Sequence, residues 1–355
     1  MTITGKILID KMRVSIPLPF LQENGIKVEI LKQKFLNILA HYFCDRKAYS
    51  VTISYGYLRT TLNPARYKPH NKANYTDTNL EMPSEKWLLE LLKDLGYLEN
   101  KKIAEAANIT LIHLTKDIIV QQSPHDYIEF LLKFPLEKNF ISSKIYSNST
   151  NNTLRISTPK RNNTKKDILG DRVFIFYDKM QELRNKLPKD IITLKEALTE
   201  NEIKQLNKVG AQHIDNHNIS ISNLNLLRCE LQYRYKEKIE PLLRFLNSEA
   251  KSGNLTVAII IDALSKKELY KKLEQFYKKE LQSVVFYKEP QNKFQGFNSY
   301  ELALADLIND SNITTLELIY DSFGLKKMFH ANLKNITKGI SNELYNELYS
   351  KFIED

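Results

Sequence analysis

Arg172-Val173-Phe174-Ile175-Phe176-Tyr177-Asp178-Lys179 is the stretch whose reading decides the fold. Read as a strand, its period of two puts Val173, Ile175, Tyr177 and Lys179 on one face. Upstream, Thr153 to Thr158 reads as a partner strand, joined to it through a basic, Asn-rich turn. Downstream, Leu224 to Tyr235 is another strand, with Arg228, Glu230, Gln232 and Arg234 alternating with Cys229, Leu231, Tyr233 and Tyr235. Further out, Asn108 to Val120 and Met12 to Phe20 are extended, and Tyr49 to Leu62 is a strand or hairpin arm. Between them, Leu31, Phe35, Ile38, Leu39 and Tyr42 recur at helical spacing. Ser84 caps a helix carrying Leu88, Leu91, Leu92 and Leu95, which Gly96 stops, and Ser123-Pro124 opens another. Thr193 with Glu196 makes a capping box for a helix through about Leu206. Beyond Pro241 the texture is helical, with Ser265 and Glu268 starting a helix through Leu269, Leu273, Phe276 and Leu281. Hairpin-linked strands interleaved with helices predict an α+β fold with a largely antiparallel central sheet flanked by helices. The expected division is a domain over 1–245 and a helical C-terminal domain over 246–355, with the join near Ser248 to Asn254.

Composition narrows the function. The chain has 355 residues, 42% of them apolar, which is enough for a real core and excludes wholesale disorder. Only 10 residues are glycine, against a nucleotide-cradling loop fold, and no P-loop or dinucleotide fingerprint is present. The 2 cysteines, Cys44 and Cys229, build neither a disulfide framework nor a zinc cage, so a reducing, cytoplasmic setting is expected. The longest apolar run, Val257 to Leu264, is short and carries Asp262, so it reads as core and not as a membrane span. The first residues, with Lys6, Asp10 and Lys11, do not form a secretory signal.

A formal charge of +10, with 19 tyrosines and 16 phenylalanines, fits a protein that approaches a polyanion. The charge is concentrated. Arg155, Lys160, Arg161, Lys165, Lys166, Arg172, Lys179, Arg184 and Lys186 face only Asp167, Asp171, Asp178 and Glu182 in the same stretch, a candidate phosphate-contacting patch.

Several residues on these strands carry chemistry. Tyr177 with Lys179 beside a basic turn is a candidate phosphoryl-transfer nucleophile, but a free phenol of pKa about 10 is only about one-thousandth ionised at neutral pH. A cation must therefore stabilise the phenolate. The alternative is a strand-end tyrosine with its hydroxyl in water. Arg228 and Arg234 have the spacing to hold a phosphate, and Glu230 to ligate a metal or orient Lys179, unless that face is merely solvated. His113, Thr115 and Asp117 share one strand face, where tyrosine nucleases often carry two histidines around an apolar residue; here only the first is present. His213 and His217 lie in polar surroundings without a third ligand and read as surface residues.

In order along roughly residues 8 to 240, these segments resemble the replication initiation proteins of filamentous phages and related rolling-circle plasmids, the phage gene-two nickase family. Leu8-Ile9-Asp10-Lys11-Met12 through Leu18-Pro19-Phe20 is similar to the family's opening strand. Asn63-Pro64-Ala65-Arg66 with His70-Asn71 is similar to its Ser-Pro-Ala-Lys and Gly-His-Asn signature, with Pro69 and Asn74 replacing the flanking glycines. Ile112 to Asp117 stands where the family has an Arg-apolar-Asp strand, the family aspartate falling on Thr115. Phe176-Tyr177-Asp178-Lys179 with Glu182 resembles its Tyr-x-Lys-x-x-Glu motif, and Leu227-Arg228-Cys229-Glu230-Leu231 its Leu-x-Arg-x-Glu strand.

The resemblance implies a rolling-circle replication initiator that recognises a double-stranded origin and binds one strand where it opens. Tyr177 would be the nicking residue, and Lys179 would stabilise its phenolate or the charge developing on the phosphate. Mg²⁺ or Mn²⁺ would be held by ligands drawn from His113, Asp117, Glu230 and His70, Asp117 standing in for the family aspartate unless the site is built differently. Arg155, Lys160, Arg161, Lys165, Lys166, Arg172, Arg228 and Arg234 would contact the DNA backbone. Tyr233 and Tyr235 are the alternative nucleophiles. The helical tail is open to origin binding, dimerisation as a homodimer, or recruitment of a host helicase. The rival reading is a non-catalytic origin-binding regulator on the same scaffold, and an RNA-binding protein ranks behind both.

Overall fold

The computed structural model describes residues 7–43, 46–64, 84–133, 136, 140–146, 152–157, 172–186, 193–194, 212–215, 218–220, 224–234, 239–247, 253–286 and 343–354. Strand β1 (Leu8–Pro17) runs into α1 (Leu18–Glu23) and α2 (Val28–Tyr42), followed by β2 (Tyr49–Ser54) and β3 (Tyr57–Leu62). Next come α3 (Glu85–Asp94), α4 (Lys101–Ala106), β4 (Asn108–Ile119) and α5 (Pro124–Lys133). Strands β5 (Ile141–Tyr146), β6 (Asn152–Ser157) and β7 (Arg172–Asp178) precede α6 (Lys179–Lys186). After β8 (Thr193–Leu194), β9 (Gln212–Asp215) and β10 (Asn218–Ser220) come β11 (Leu226–Arg234), α7 (Glu240–Leu246), α8 (Val257–Ser265) and α9 (Leu269–Val284). Eight of these strands form one sheet in the order β2-β3-β1-β4-β11-β7-β6-β5, and β8-β10-β9 form a separate three-stranded sheet. Every pairing in the large sheet is antiparallel. The α+β fold with an antiparallel sheet flanked by helices is thus present as the pattern predicts.

One face of the sheet is the core. Met12, Val14 and Ile16 of β1, Leu58 and Leu62 of β3, Ile112 and Leu114 of β4, Cys229 and Leu231 of β11 and Phe174 and Phe176 of β7 are all buried. Each fully buried large side chain of this kind contributes about 1.5–3 kcal/mol, so this face dominates the stability. Helix α2 lies against β2 and β3, α4 against β1, and α5 against β5, β6 and β7. Capping follows the sequence pattern: Ser84 Oγ accepts from Trp87 N–H at 3.1 Å, and Gly96 closes that segment at φ +86°.

The opposite face is polar. Lys11 and Arg13 of β1, Tyr57, Arg59 and Thr61 of β3 and Ser50 and Thr52 of β2 line it, each half-buried or exposed. Hairpin β2–β3 turns on Tyr55 and Gly56, both at positive φ (51° and 77°), as a two-residue type I′ turn requires. Glycine takes that conformation freely; tyrosine pays about 1–2 kcal/mol for it.

The first compact unit spans Met1–Val285 and the second Phe286–Asp355. The boundary expected at 245/246 therefore falls inside the first unit. Two backbone bonds hold the chain there: Ile109 N–H to Leu255 O at 2.7 Å and Val257 N–H to Ala107 O at 2.9 Å. Helix α9 is tied to the sheet by the Tyr277 hydroxyl, which donates to Cys229 O at 3.0 Å. In the second unit, Phe286 meets Tyr345 and Tyr349 edge-on, and Leu344, Leu348 and Phe352 are buried.

Thr193 and Leu194 pair with Ser220 and Ile219, and the helix expected from Thr193 through about Leu206 lies, from residue 195 on, outside the described residues. His213 is likewise in β9, paired with Ile219, and His217 lies outside the described residues.

Candidate active site

The polar face of the four central strands β1-β4-β11-β7 carries the candidate site. Register decides which side chains meet. Between β4 and β11 the facing pairs are Asp117–Arg228, Thr115–Glu230 and His113–Gln232. Between β11 and β7, Arg228 faces Tyr177 and Glu230 faces Ile175. On the other flank Ile9 faces Leu114 and Lys11 faces His113, so Asp10 is the extra residue of a β-bulge. A bulge re-aims the side chain it carries, and this one joins a three-ligand group. Ligand atoms of Asp10, His113 and Glu230 all lie within 4.8 Å of one another.

Glu230 is the hub. The Tyr177 hydroxyl donates to its Oε1 at 2.7 Å, and Gln232 Nε2 donates to its Oε2 at 2.9 Å. Burial raises the Glu230 carboxyl above its ordinary range, and the neighbouring Asp10 charge adds to the rise, while Arg228 and the two hydrogen bonds oppose it. Burial likewise pushes the Tyr177 phenol well above 10, reinforced by Glu230 and opposed by Arg228. Two carboxylates crowded together with an imidazole is a donor set short of positive charge. Its oxygen and nitrogen atoms suit Mg²⁺ or Mn²⁺, so the residues fit a divalent ion.

Beside the ligand group, on the same face, lies an ion pair. Arg228 donates to Asp117 through Nε at 2.5 Å and through the guanidinium Nη2 at 2.6 Å, with the two side chains 1% and 3% exposed. Burial opposes the arginine's charge, and the Asp117 carboxylate overrides it. Lys179, the first residue of α6, is 2% exposed and bonds Glu182 at 2.6 Å. Burial lowers its pKa, Arg228 lowers it further, and Glu182 and Asp117 oppose.

Several expected placements change. Asp117 is engaged by Arg228 and stands apart from the ligand group, and Asp10 takes the carboxylate position beside His113 and Glu230. Arg228 is buried beside Tyr177 and is no surface phosphate clamp; the matched carboxylate opposite it explains why. It also supplies a cation bearing on Tyr177, one of the two parts expected of Lys179. Arg172 points to the core face, where Glu280 pairs with its Nε at 2.7 Å and Phe140 and Phe174 lie beside its guanidinium. Tyr233 is buried on that same face with its hydroxyl on Glu280, which removes it as a nucleophile. Arg155 stands on the polar face, opposite Ile175. His70, Lys160, Arg161, Lys165, Lys166, Tyr235 and the Arg234 side chain lie outside the described residues.

Asp10 is the residue the sequence reading missed. Its signal is a broken alternation: two apolar residues, Leu8-Ile9, then two polar ones, Asp10-Lys11, where a regular strand would alternate.

No protein-family profile matches the chain. No curated protein matches it either. Among solved structures, it is similar to a rolling-circle replication initiator protein from Geobacillus stearothermophilus, at 12% identity and a TM-score of 0.25, covering 74% of this chain and 96% of that one. Among the described residues, no helix is long and apolar enough to cross a membrane.

Proposed function

We propose that this chain is a DNA strand transferase that nicks and rejoins one strand through Tyr177, in the manner of a rolling-circle replication initiator. One observation carries the reading: the Tyr177 hydroxyl is hydrogen-bonded at 2.7 Å to Glu230, a member of the Asp10–His113–Glu230 group. A structural tyrosine at a strand end has no need of a hub of that composition.

The chemistry is a transesterification. The Tyr177 oxygen attacks phosphorus as its proton passes to Glu230 Oε1, where the hydroxyl already points. The phosphorus–O3′ bond breaks, the O3′ takes up a proton, and the 5′ end remains on the tyrosine. Reversal rejoins the strand, and because the phosphotyrosine conserves the ester, no nucleotide is consumed. Arg228, fixed by Asp117, holds a positive charge beside the developing phenolate. Mg²⁺ or Mn²⁺ bound by Asp10, His113 and Glu230 would supply Lewis-acid polarisation of a phosphate oxygen.

The test is a denaturing-gel assay with Mn²⁺ and supercoiled DNA carrying the gene's own flanking region. The expected result is a relaxed product and a covalent protein–DNA adduct, both absent in Tyr177→Phe. Binding without an adduct would replace the reading with an origin-binding regulator.

A further inference from the structure

The tip of hairpin β2–β3 contains an arrangement that the fold does not explain. Tyr55 is 87% exposed, in a backbone conformation that tyrosine rarely adopts. A strained, exposed aromatic contributes nothing to the core, and observed strain of this kind concentrates at functional sites. The Arg59 guanidinium lies over the Tyr55 ring at 5.1 Å and near the Tyr57 ring at 5.8 Å. Its Nε is buried and has no hydrogen-bond partner among the described residues. The tip is held in place, since Leu18 N–H donates to Gly56 O at 2.9 Å. It shares a face of the sheet with the site, at the other end of the strands. Arg59 shares the face of Thr61, whose hydroxyl accepts from Arg13 at 3.2 Å, and register carries that face through β1 to His113 and Tyr177.

We infer that Tyr55, Tyr57 and Arg59 form a single-strand clamp, with a base stacked on the open face of Tyr55 and a phosphate on Arg59. An aromatic with a free π-face beside a pre-oriented arginine is the composition that single-stranded nucleic acid recognises without regard to sequence. The strand order separates β3 from β7 by four inter-strand steps, about 19 Å. Register adds an offset along the strands: Ser15, opposite Arg59, also faces Asn108, whereas Tyr177 is level with Arg228 and Asp117, about 30 Å further along β4. The two combine to about 35 Å, about ten nucleotides at about 3.4 Å per stacked nucleotide, so the clamp holds the strand well outside the scissile phosphate. That the ligand is DNA rests on the Tyr177 reading; the clamp itself rests on the hairpin.

The test measures binding of a fluorescein-labelled oligothymidylate to the full chain by anisotropy. Tyr55→Asn suits the type I′ turn better, so the variant should melt higher than the wild type, which separates lost binding from lost fold. Its affinity for oligothymidylate should fall about 5- to 150-fold, the range of one base–aromatic stack. Tyr55→Phe should bind within about threefold of wild type, because the ring is retained. Arg59→Gln should reduce the slope of log affinity against log salt by about 0.7, one phosphate on a single strand. Unchanged affinity in Tyr55→Asn overturns the clamp, whether or not the Tyr177 adduct forms. Tyr55-dependent binding without any adduct supports the clamp and removes the nickase. Tighter, Tyr55-dependent binding of oligouridylate than of oligothymidylate overturns the DNA assignment in favour of RNA.

Discussion

Replacing Asp117 by Asn separates a structural carboxylate from a metal ligand. In the structure Asp117 makes two bonds to Arg228, at 2.5 and 2.6 Å, with neither side chain more than 3% exposed. Asparagine keeps the shape and one acceptor but removes the charge, leaving a buried guanidinium uncompensated. Breaking a buried pair in this way costs about 3–5 kcal/mol. For a compact unit of this size, at about 2 °C per kcal/mol, melting should fall by about 6–10 °C. Mn²⁺ affinity, read by calorimetry on the DNA-free protein, should stay within about threefold of wild type, because Asp117 is not among the grouped ligands. Asp10→Asn should do the reverse: Mn²⁺ affinity should drop at least about tenfold, with stability within about 1 kcal/mol, since Asp10 is half-buried and removing its charge relieves Glu230. Replacing both members of the pair, Asp117→Leu with Arg228→Met, should restore most of the lost stability, because no unpaired charge remains. The reasoning fails if Asp117→Asn melts like wild type while losing Mn²⁺ as Asp10→Asn does.

Two further outcomes follow from the same geometry. Burial raises the Glu230 carboxyl in the folded state, so its contribution to stability is complete below the unfolded value of about 4.3 and is lost as pH rises through the folded one. Glu230→Gln should therefore exceed wild type in metal-free urea denaturation at neutral pH, with the gap closing towards about pH 4; added Mn²⁺ should stabilise the wild type and not the variant. On the core face, Glu280→Ala strands the buried Tyr233 hydroxyl and the half-buried Arg172, at a cost of about 2–4 kcal/mol. Adduct yield per folded molecule should be unchanged, since that network lies on the far side of the sheet.

Much of the architecture is legible in local pattern. The alternation in 108–120 and 224–235 finds β4 and β11, and the residues on their polar faces include His113 and Glu230. The period that puts Tyr177 with Val173 and Ile175 also puts Arg172 on the other face, so its loss from the DNA-contacting set is readable from the strand itself. What local pattern does not contain is register. Whether Asp117 meets a metal or an arginine depends on which β11 residue stands opposite, and that is settled by packing across 111 residues of chain. Asp10 is hidden for a related reason: its bulge reverses the face that strict alternation assigns. The extent of the first unit is hidden because the bonds of 255–257 to Ala107 and Ile109 leave no mark on sequence texture.

Strand β11 lies between β4 and β7 in space but follows both in the chain. During synthesis β4 and β7 therefore wait with unpaired edges until Leu226–Arg234 leaves the ribosome. Glu230, which holds the Tyr177 hydroxyl, arrives with that strand. A product truncated before this strand has Tyr177 and Asp117 but neither Glu230 nor Arg228 to partner them.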